Sequence, residues 1–214
     1  LYSLAGDRGT AVRGRTLADE ARDLGDLLGE LRLERPTVFG VSFGGAIALE
    51  LAVERPQVAD SLILFGAEAR FRAGPGYTIL RNVLERYELP TDSPFFNQFF
   101  NILHGGRPES AALADFVVRQ CWTTDQSVLV HRLRALDGFD VSDRLWRVDV
   151  PTLVLAGSRD VVVPPARQRE LANGIGSSHF ATIEGAGHVG FLTHGKEVAQ
   201  QVRRMLQAVH RSAL

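Results

Sequence analysis

Three residues of this chain, a serine, an aspartate and a histidine, occur in settings that suit nucleophilic catalysis. Ser42 is the centre of Gly40-Val41-Ser42-Phe43-Gly44, which separates an apolar β-branched run from an alanine- and leucine-rich run. A Gly-x-Ser-x-Gly turn between a strand and a helix strains the backbone of its serine and holds the hydroxyl above the positive end of the helix dipole. The glycines at positions 40 and 44 are expected to remove side chains that would collide where strand and helix pass. The pattern predicts that Ser42 attacks an acyl carbonyl.

A serine hydroxyl is a weak nucleophile at neutral pH, so it needs a general base and an acid that orients the base. His188 lies in the loop 185–190, whose small residues leave room for an imidazole to reach Ser42. Asp160 follows the apolar run 152–156, at the end of a predicted strand, where parallel sheets place reacting groups. The chain order Ser42, Asp160, His188 predicts that His188 takes the serine proton and that Asp160 fixes the tautomer of the imidazole.

The sequence offers alternative candidates for the acid, the nucleophile and the base. Glu68, just after the predicted strand 61–65, is a reserve acid, and Asp160 could instead cap a helix that follows Pro164. Cys121 is a weaker candidate nucleophile, because it lies in a polar helical stretch without elbow glycines. The other histidines, none of which lies in a small-residue loop after a strand, are His104, His131, His179, His194 and His210.

Strand and helix patterns alternate around these residues. Apolar runs predict strands at residues 37–41, 61–65, 152–156 and 180–183. Apolar residues at spacings of three and four predict helices at residues 16–33, 43–54 and 196–210. Thr16 and Asp19 form a capping-box pattern at the start of the first helix. This alternation predicts an α/β fold with right-handed crossovers and a mostly parallel sheet.

About 85 residues between the strands at 61–65 and 152–156 carry helical patterns and no convincing strand. A segment of this length is expected to form a helical subdomain, because structureless loops of that size are uncommon. We therefore expect residues 1–69 and 147–214 to build one core and residues 70–146 to form a helical cap, or lid.

The expected cap contains a group of phenylalanines whose spacing suits one apolar helix face: Phe95, Phe96, Phe99 and Phe100. This face either packs the cap onto the core or forms an apolar wall of a substrate pocket. In the second interpretation, Phe95, Phe96 and Phe99 line the pocket together with Val161 and Val189.

Composition argues against several classes of partner. The net charge of the 214 residues is −1, so nothing resembles the basic footprint of a nucleic-acid-binding protein. No apolar run approaches the roughly 20 residues that a membrane-spanning helix needs. One cysteine and the lack of a secretory or lipidation signal favour a cytoplasmic protein. No metal and no organic cofactor are expected, because no zinc-ligand spacing and no phosphate-binding glycine loop is present. The oligomeric state is open.

The chain resembles the lid-bearing serine hydrolases of the α/β-hydrolase fold, a group with proline iminopeptidase-like, enol-lactonase-like and carboxylesterase-like members. The resemblance rests on residues 40–45, on Asp7-Arg8-Gly9, on residues 150–160 and on Gly185-Ala186-Gly187-His188. It implies cleavage of a carboxylic ester, thioester or lactone with an apolar part, through an acyl-enzyme on Ser42. The backbone N–H of Phe43 would be one oxyanion-hole donor. The same triad also serves acyltransferases, C–C hydrolases and cofactor-free haloperoxidases.

The chain departs from this family pattern before the elbow. No histidine precedes Ser42, although the second oxyanion-hole donor of the family is usually marked by His-Gly. Aligned on the elbow, the chain begins near the end of the fourth strand, so about 50 to 60 residues with three strands and the oxyanion loop are expected to be absent. The chain is then a fragment of a longer protein, a rearranged small hydrolase, or a non-catalytic binding module.

Overall fold

Four parallel strands form the centre of the described fold, in the spatial order β1-β2-β3-β4. A computed structural model describes residues 14–90, 93–105, 110–122 and 124–212. The strands are β1 (Thr37–Val41), β2 (Ser61–Phe65), β3 (Thr152–Gly157) and β4 (Ser178–Ile183). Because neighbouring strands are all parallel, their carboxyl ends meet at one edge of the sheet. The predicted α/β fold with a parallel sheet is confirmed.

Helices cover both faces of the sheet. One face packs against α1 (Leu17–Glu30), α2 (Phe43–Glu54) and α7 (Pro165–Gly174). The other face packs against α9 (Gly195–Ser212), which follows the short helix α8 (Gly190–Thr193). None of the helices in the described part of the chain is both long and apolar enough to cross a bilayer.

Strand β2 shows how the sequence produces this three-layer arrangement. All of its residues are buried, and successive side chains of a strand point to opposite faces. Leu62 and Leu64 therefore join the core beneath α1 and α2, while Ile63 and Phe65 join the core beneath α9. Four consecutive apolar residues, as at positions 62–65, are typical of a strand in a sheet that is covered on both sides.

Helix α1 begins as predicted and ends earlier than predicted. The Thr16 hydroxyl accepts a hydrogen bond from the Asp19 N–H, and the Asp19 carboxylate accepts one from the Thr16 N–H, so the capping box forms. Leu31, which lies inside the helix predicted at residues 16–33, is instead the C-cap and is 58% exposed. The chain start, which is expected to match the end of the fourth strand of the family, and the motif at residues 7–9 lie outside the described residues.

Among the described residues between β2 and β3 there are four α-helices: α3 (Pro75–Arg86), α4 (Pro94–His104), α5 (Ala111–Trp122) and α6 (Gln126–Ala135). We call them the helical insertion. They enclose a small apolar core of their own, which contains Leu80, Leu84, Phe100 and Val117. The helices agree with the predicted pattern, whereas the role of residues 70–146 as a separate cap stays a prediction.

Strand β1 and helix α2 pass closest to each other at Gly40. A Cβ atom at this position would lie 2.6 Å from the Gly44 carbonyl oxygen and 2.8 Å from the Gly45 Cα. Gly45 is a second close approach, since its Cβ would lie 2.7 Å from the Cβ of Ala67. A Cβ at Gly44 would have no described atom within 4 Å, so the expectation that Gly44 prevents a collision was wrong.

The two glycines of the elbow should therefore respond differently to alanine. We expect Gly40→Ala to lower the free energy of unfolding by about 1–3 kcal/mol, because the backbone of α2 must move to accept the methyl group. Gly44→Ala is expected to leave it unchanged or raise it by up to about 1 kcal/mol, since alanine favours the helix. Urea unfolding followed by circular dichroism measures both values. Equal stability of the two variants would contradict the close crossing.

Candidate active site

Ser42 occupies the turn between β1 and α2 in a conformation that is unusual for a residue with a side chain. Its backbone has φ 51° and ψ −117°. The Ser42 N–H donates to the Phe65 carbonyl at 2.9 Å, and the Ser42 carbonyl accepts from Gly45 N–H at 2.8 Å and Ala46 N–H at 3.1 Å. Bonds to β2 on one side and to α2 on the other hold the strained turn in place.

The structure brings the side chains of Ser42, His188 and Asp160 together at the carboxyl edge of the sheet. His188 Nε2 lies 2.7 Å from Ser42 Oγ, and His188 Nδ1 lies 2.9 Å from Asp160 Oδ2. Because an ionised carboxylate only accepts, Nδ1 donates to Asp160 and Nε2 is left to accept the serine proton. Asp160 and His188 are 2% and 5% exposed, so the hydrogen bond between them is shielded from bulk water, whereas Ser42 is half-buried.

Four N–H groups hold the Asp160 carboxylate. Its Oδ1 accepts from the backbone N–H groups of Val162 at 3.0 Å and Val163 at 2.9 Å. Its Oδ2 accepts from His188 and also from the side-chain amide of Gln168 at 3.1 Å. Helix α7 begins without a side-chain cap at Pro164, so Asp160 does not serve as its cap. The carboxylate is fixed by its own loop and aimed at the imidazole.

Glu68, the reserve acid, has different neighbours. Its carboxylate accepts from the Arg72 N–H at 3.4 Å and from Arg167 Nη1 at 3.3 Å. Burial raises the pKa of Glu68, and the positive charge of Arg167 offsets that rise only in part. The geometry therefore favours Asp160 over Glu68 as the partner of His188.

The loop that carries His188 is packed against the end of helix α4. A side chain at Gly187 would collide with the backbone of His104 and Gly105, and the Val189 N–H donates to the Leu103 carbonyl at 3.1 Å. The small residues of this loop thus permit a close backbone contact with the helical insertion as well as room for the imidazole.

The other predicted bases have separate surroundings. His104 is buried with Nδ1 2.7 Å from the Phe100 carbonyl, and His194 Nδ1 lies 2.8 Å from the Thr193 hydroxyl. His131 lies on α6 and His179 on β4. The side chains of His210 and Cys121 lie outside the described residues.

The backbone N–H of Phe43 is the first of helix α2, directly after Ser42. The first N–H groups of a helix have no acceptor within it, and they carry the positive end of its dipole. The Phe43 side chain packs against the core that α1 and α2 share. The role of the Phe43 N–H as an oxyanion-hole donor stays a prediction.

The predicted pocket residues lie in several places. Phe95 and Phe99 pack against the core of the helical insertion, and the side chain of Phe96 lies outside the described residues. Val161 is 65% exposed beside Asp160, and Val189 is half-buried. Their role in a pocket stays a prediction. Within the described ranges, no group of three His, Cys, Asp or Glu side chains lies close enough to hold a metal ion.

Comparison with known proteins shows which family the chain belongs to. The model of the alpha/beta hydrolase family matches residues 1–201. A protein named carbamate hydrolase RutD, from Pseudomonas syringae pv. syringae, is 30% identical over 190 residues, which are 84% of this chain and 71% of that protein. A pimeloyl-acyl-carrier-protein methyl ester esterase from Neisseria meningitidis is 27% identical over 182 residues, 80% of this chain and 57% of that protein.

A solved structure gives the same result at the level of the fold. The thermophilic esterase from Thermogutta terrifontis superposes with a TM-score of 0.82 at 25% identity, covering 97% of this chain and 79% of that chain. The elbow, the parallel sheet and these relatives lead to one conclusion: the chain is a hydrolase that belongs to the alpha/beta hydrolase family.

Proposed function

We propose that this hydrolase cleaves a carboxylic ester, thioester or lactone through an acyl-enzyme on Ser42. One observation carries the proposal, namely the continuous hydrogen-bond chain from Ser42 Oγ through both ring nitrogens of His188 to Asp160 Oδ2. This chain supplies a nucleophile, a base within hydrogen-bond reach and an acid that orients the base.

Acylation follows from these positions. Ser42 Oγ attacks the carbonyl carbon as its proton moves to His188 Nε2, and the carbonyl oxygen becomes negative. The N–H of Phe43 donates to that oxygen, and the carboxylate of Asp160 stabilises the imidazolium. Collapse of the tetrahedral intermediate breaks the bond to the leaving alcohol or thiol, which takes the proton from His188. An ester between Ser42 and the acyl group remains.

In deacylation, water takes the place of Ser42 as the nucleophile, and Ser42 Oγ becomes the leaving group. His188 Nε2 takes a proton from a water molecule, the hydroxide attacks the acyl carbon, and the bond to Ser42 Oγ breaks. The proton returns to Ser42, and a carboxylic acid leaves. If an alcohol or amine replaced the water, the same residues would perform acyl transfer.

We further propose a small-molecule substrate with an apolar part, covered by the helical insertion as a lid. The contact of the His188 loop with the end of α4 and the exposed Val161 beside Asp160 support this proposal. A cytoplasmic location is part of the same proposal, resting on the single cysteine. We do not favour the non-catalytic alternative, because the chain is a hydrolase by family.

Carbamate cleavage is a second candidate, favoured by the relative that is named a carbamate hydrolase. A carbamate presents the same carbonyl carbon to Ser42, but its nitrogen makes that carbon less electrophilic. The two candidates therefore differ in rate on matched substrates.

Labelling with a fluorophosphonate probe tests the proposal without knowledge of the substrate. We expect wild-type protein to be labelled and Ser42→Ala to remain unlabelled, because only an activated serine reacts. Rates on short acyl esters, a thioester, a lactone and a matched carbamate then rank the substrate classes. A folded wild-type protein that is never labelled would refute the acyl-enzyme on Ser42.

A further inference from the structure

Gln168 is a polar side chain with no exposed surface, situated in the first turn of α7. Its Nε2 donates to Asp160 Oδ2 at 3.1 Å and to the Val163 carbonyl at 2.7 Å. Its Oε1 accepts from the Gly66 N–H at 3.0 Å. One amide therefore connects the acid loop to the backbone at the exit of β2.

The partners of this amide allow only one orientation of its oxygen and nitrogen. The carboxylate of Asp160 and the carbonyl of Val163 only accept, and the Gly66 N–H only donates. A flipped amide would place oxygen against two acceptors and nitrogen against a donor. Both N–H groups of Gln168 are thus committed, one of them to the oxygen that His188 uses.

Gly66 is also in contact with the imidazole. Its φ is +63°, and a Cβ there would lie 2.9 Å from His188 Cε1 and 3.0 Å from His188 Nδ1. The Gly66 backbone therefore packs directly against the His188 ring. Gln168 is hydrogen-bonded both to the Gly66 backbone, which contacts the imidazole, and to the Asp160 carboxylate. It therefore connects the two groups that fix the distance between the imidazole and the carboxylate.

We propose that Gln168 is a positioning residue for the proton transfer of Ser42, acting through Asp160 and His188; this inference rests on the proposed hydrolase chemistry. A neutral amide suits that task. It orients the Asp160 carboxylate through a charge-assisted bond, whereas a lysine or arginine there would neutralise the charge that stabilises the imidazolium.

The test compares Gln168→Met, which keeps the side-chain length and removes the amide, with Leu171→Val. Leu171 lies on the same helix, is fully buried, and belongs to the apolar core. Both variants disturb the packing of α7, but only the first removes a donor from Asp160. If Gln168→Met fails to fold, the isosteric Gln168→Glu takes its place, with the pH dependence of its kcat as the deciding readout.

The first readout is the proton NMR resonance of His188 Nδ1–H, assigned by its loss in His188→Ala. We expect Gln168→Met to shift or broaden this resonance and Leu171→Val to leave it in place. An unchanged resonance in a folded Gln168→Met protein would overturn the inference. The resonance is measured without substrate, so it tests the role of Gln168 whether or not Ser42 reacts with fluorophosphonate. Labelling by fluorophosphonate tests the proposed function separately.

The second readout is the division of the effect between kcat and KM. For Gln168→Met we expect kcat to fall about 10- to 100-fold with KM little changed, as for other groups that orient a catalytic residue from behind. Leu171→Val should keep kcat within about threefold of wild type. Equal losses of kcat in the two variants would show that Gln168 acts only through packing, which would contradict the proposed positioning role.

The third readout is pH dependence in Gln168→Glu. The introduced carboxyl can donate to Asp160 only while it is protonated, and burial beside a like charge favours that form. We expect the ratio of its kcat to the wild-type kcat to rise as the pH is lowered. A ratio that is flat with pH would contradict the donor role.

Discussion

Replacement of Ser42 by alanine is expected to lower kcat for the best ester substrate by about 10⁴- to 10⁶-fold while the protein stays folded. The substitution removes the nucleophile, whose Oγ lies 2.7 Å from His188 Nε2, and no other hydroxyl among the described residues is hydrogen-bonded to that nitrogen. Steady-state hydrolysis of a p-nitrophenyl ester measures the loss. Ser127→Ala, at the exposed start of α6, is the matched control and should retain wild-type activity.

The serine and the histidine should behave as one unit. If Ser42 and His188 act in the same step, the double alanine variant is no slower than either single variant, because the residual rate comes from binding and the remaining donors alone. If the fold loss of kcat in the double variant equalled the product of the two single losses, the two residues would act independently. That result would contradict the proposed proton transfer.

Asp160→Asn is expected to lower kcat by about 10⁴-fold with little change in KM. An asparagine is neutral and no longer stabilises the imidazolium. Its amide, if it turned its nitrogen to His188 Nδ1, would also favour the tautomer that cannot accept the serine proton. The measurement is kcat and KM for the same ester, with circular dichroism to verify the fold.

Glu68→Gln is the control for the acid, since both side chains are buried carboxylates at the same edge of the sheet. It should keep kcat within about threefold of wild type, because the partners of Glu68 are Arg72 and Arg167. If Glu68→Gln proved as damaging as Asp160→Asn, then Glu68 and not Asp160 would be the acid of the site.

Much of this arrangement was predictable from the sequence, because the signals were local. The apolar run 62–65 of β2 and the periodic stripe of α1 each depend on neighbours within a few positions. The elbow and the chain order of Ser42, Asp160 and His188 then placed the three side chains at one edge of a parallel sheet. Their close approach follows from topology, and topology follows from the alternation of strand and helix.

The features that the sequence did not predict depend on contacts between distant parts of the chain. Gln168 is 102 positions from Gly66, and no local pattern marks a glutamine in a first helical turn as the partner of a glycine after another strand. The approach of Gly45 to Ala67 is of the same kind, because Ala67 follows another strand and no pattern around Gly45 indicates it.

The phenylalanines of α4 illustrate a different limit. Their spacing predicts an apolar face, but an apolar face packs equally well into a local core or around a ligand. Phe95 and Phe99 pack against the small core of the helical insertion. Periodicity alone identifies the buried side of a helix and does not identify what lies against it.

The central claim is an acyl group bound to Ser42, and mass spectrometry of quenched turnover tests it most directly. Protein mixed with a slow ester and acidified within the first turnover should yield a peptide containing Ser42 that carries the mass of the acyl group. Ser42→Ala treated in the same way should yield no such adduct. Turnover with the acyl group on another residue, or with no acyl adduct under conditions that make deacylation the slow step, would contradict the account.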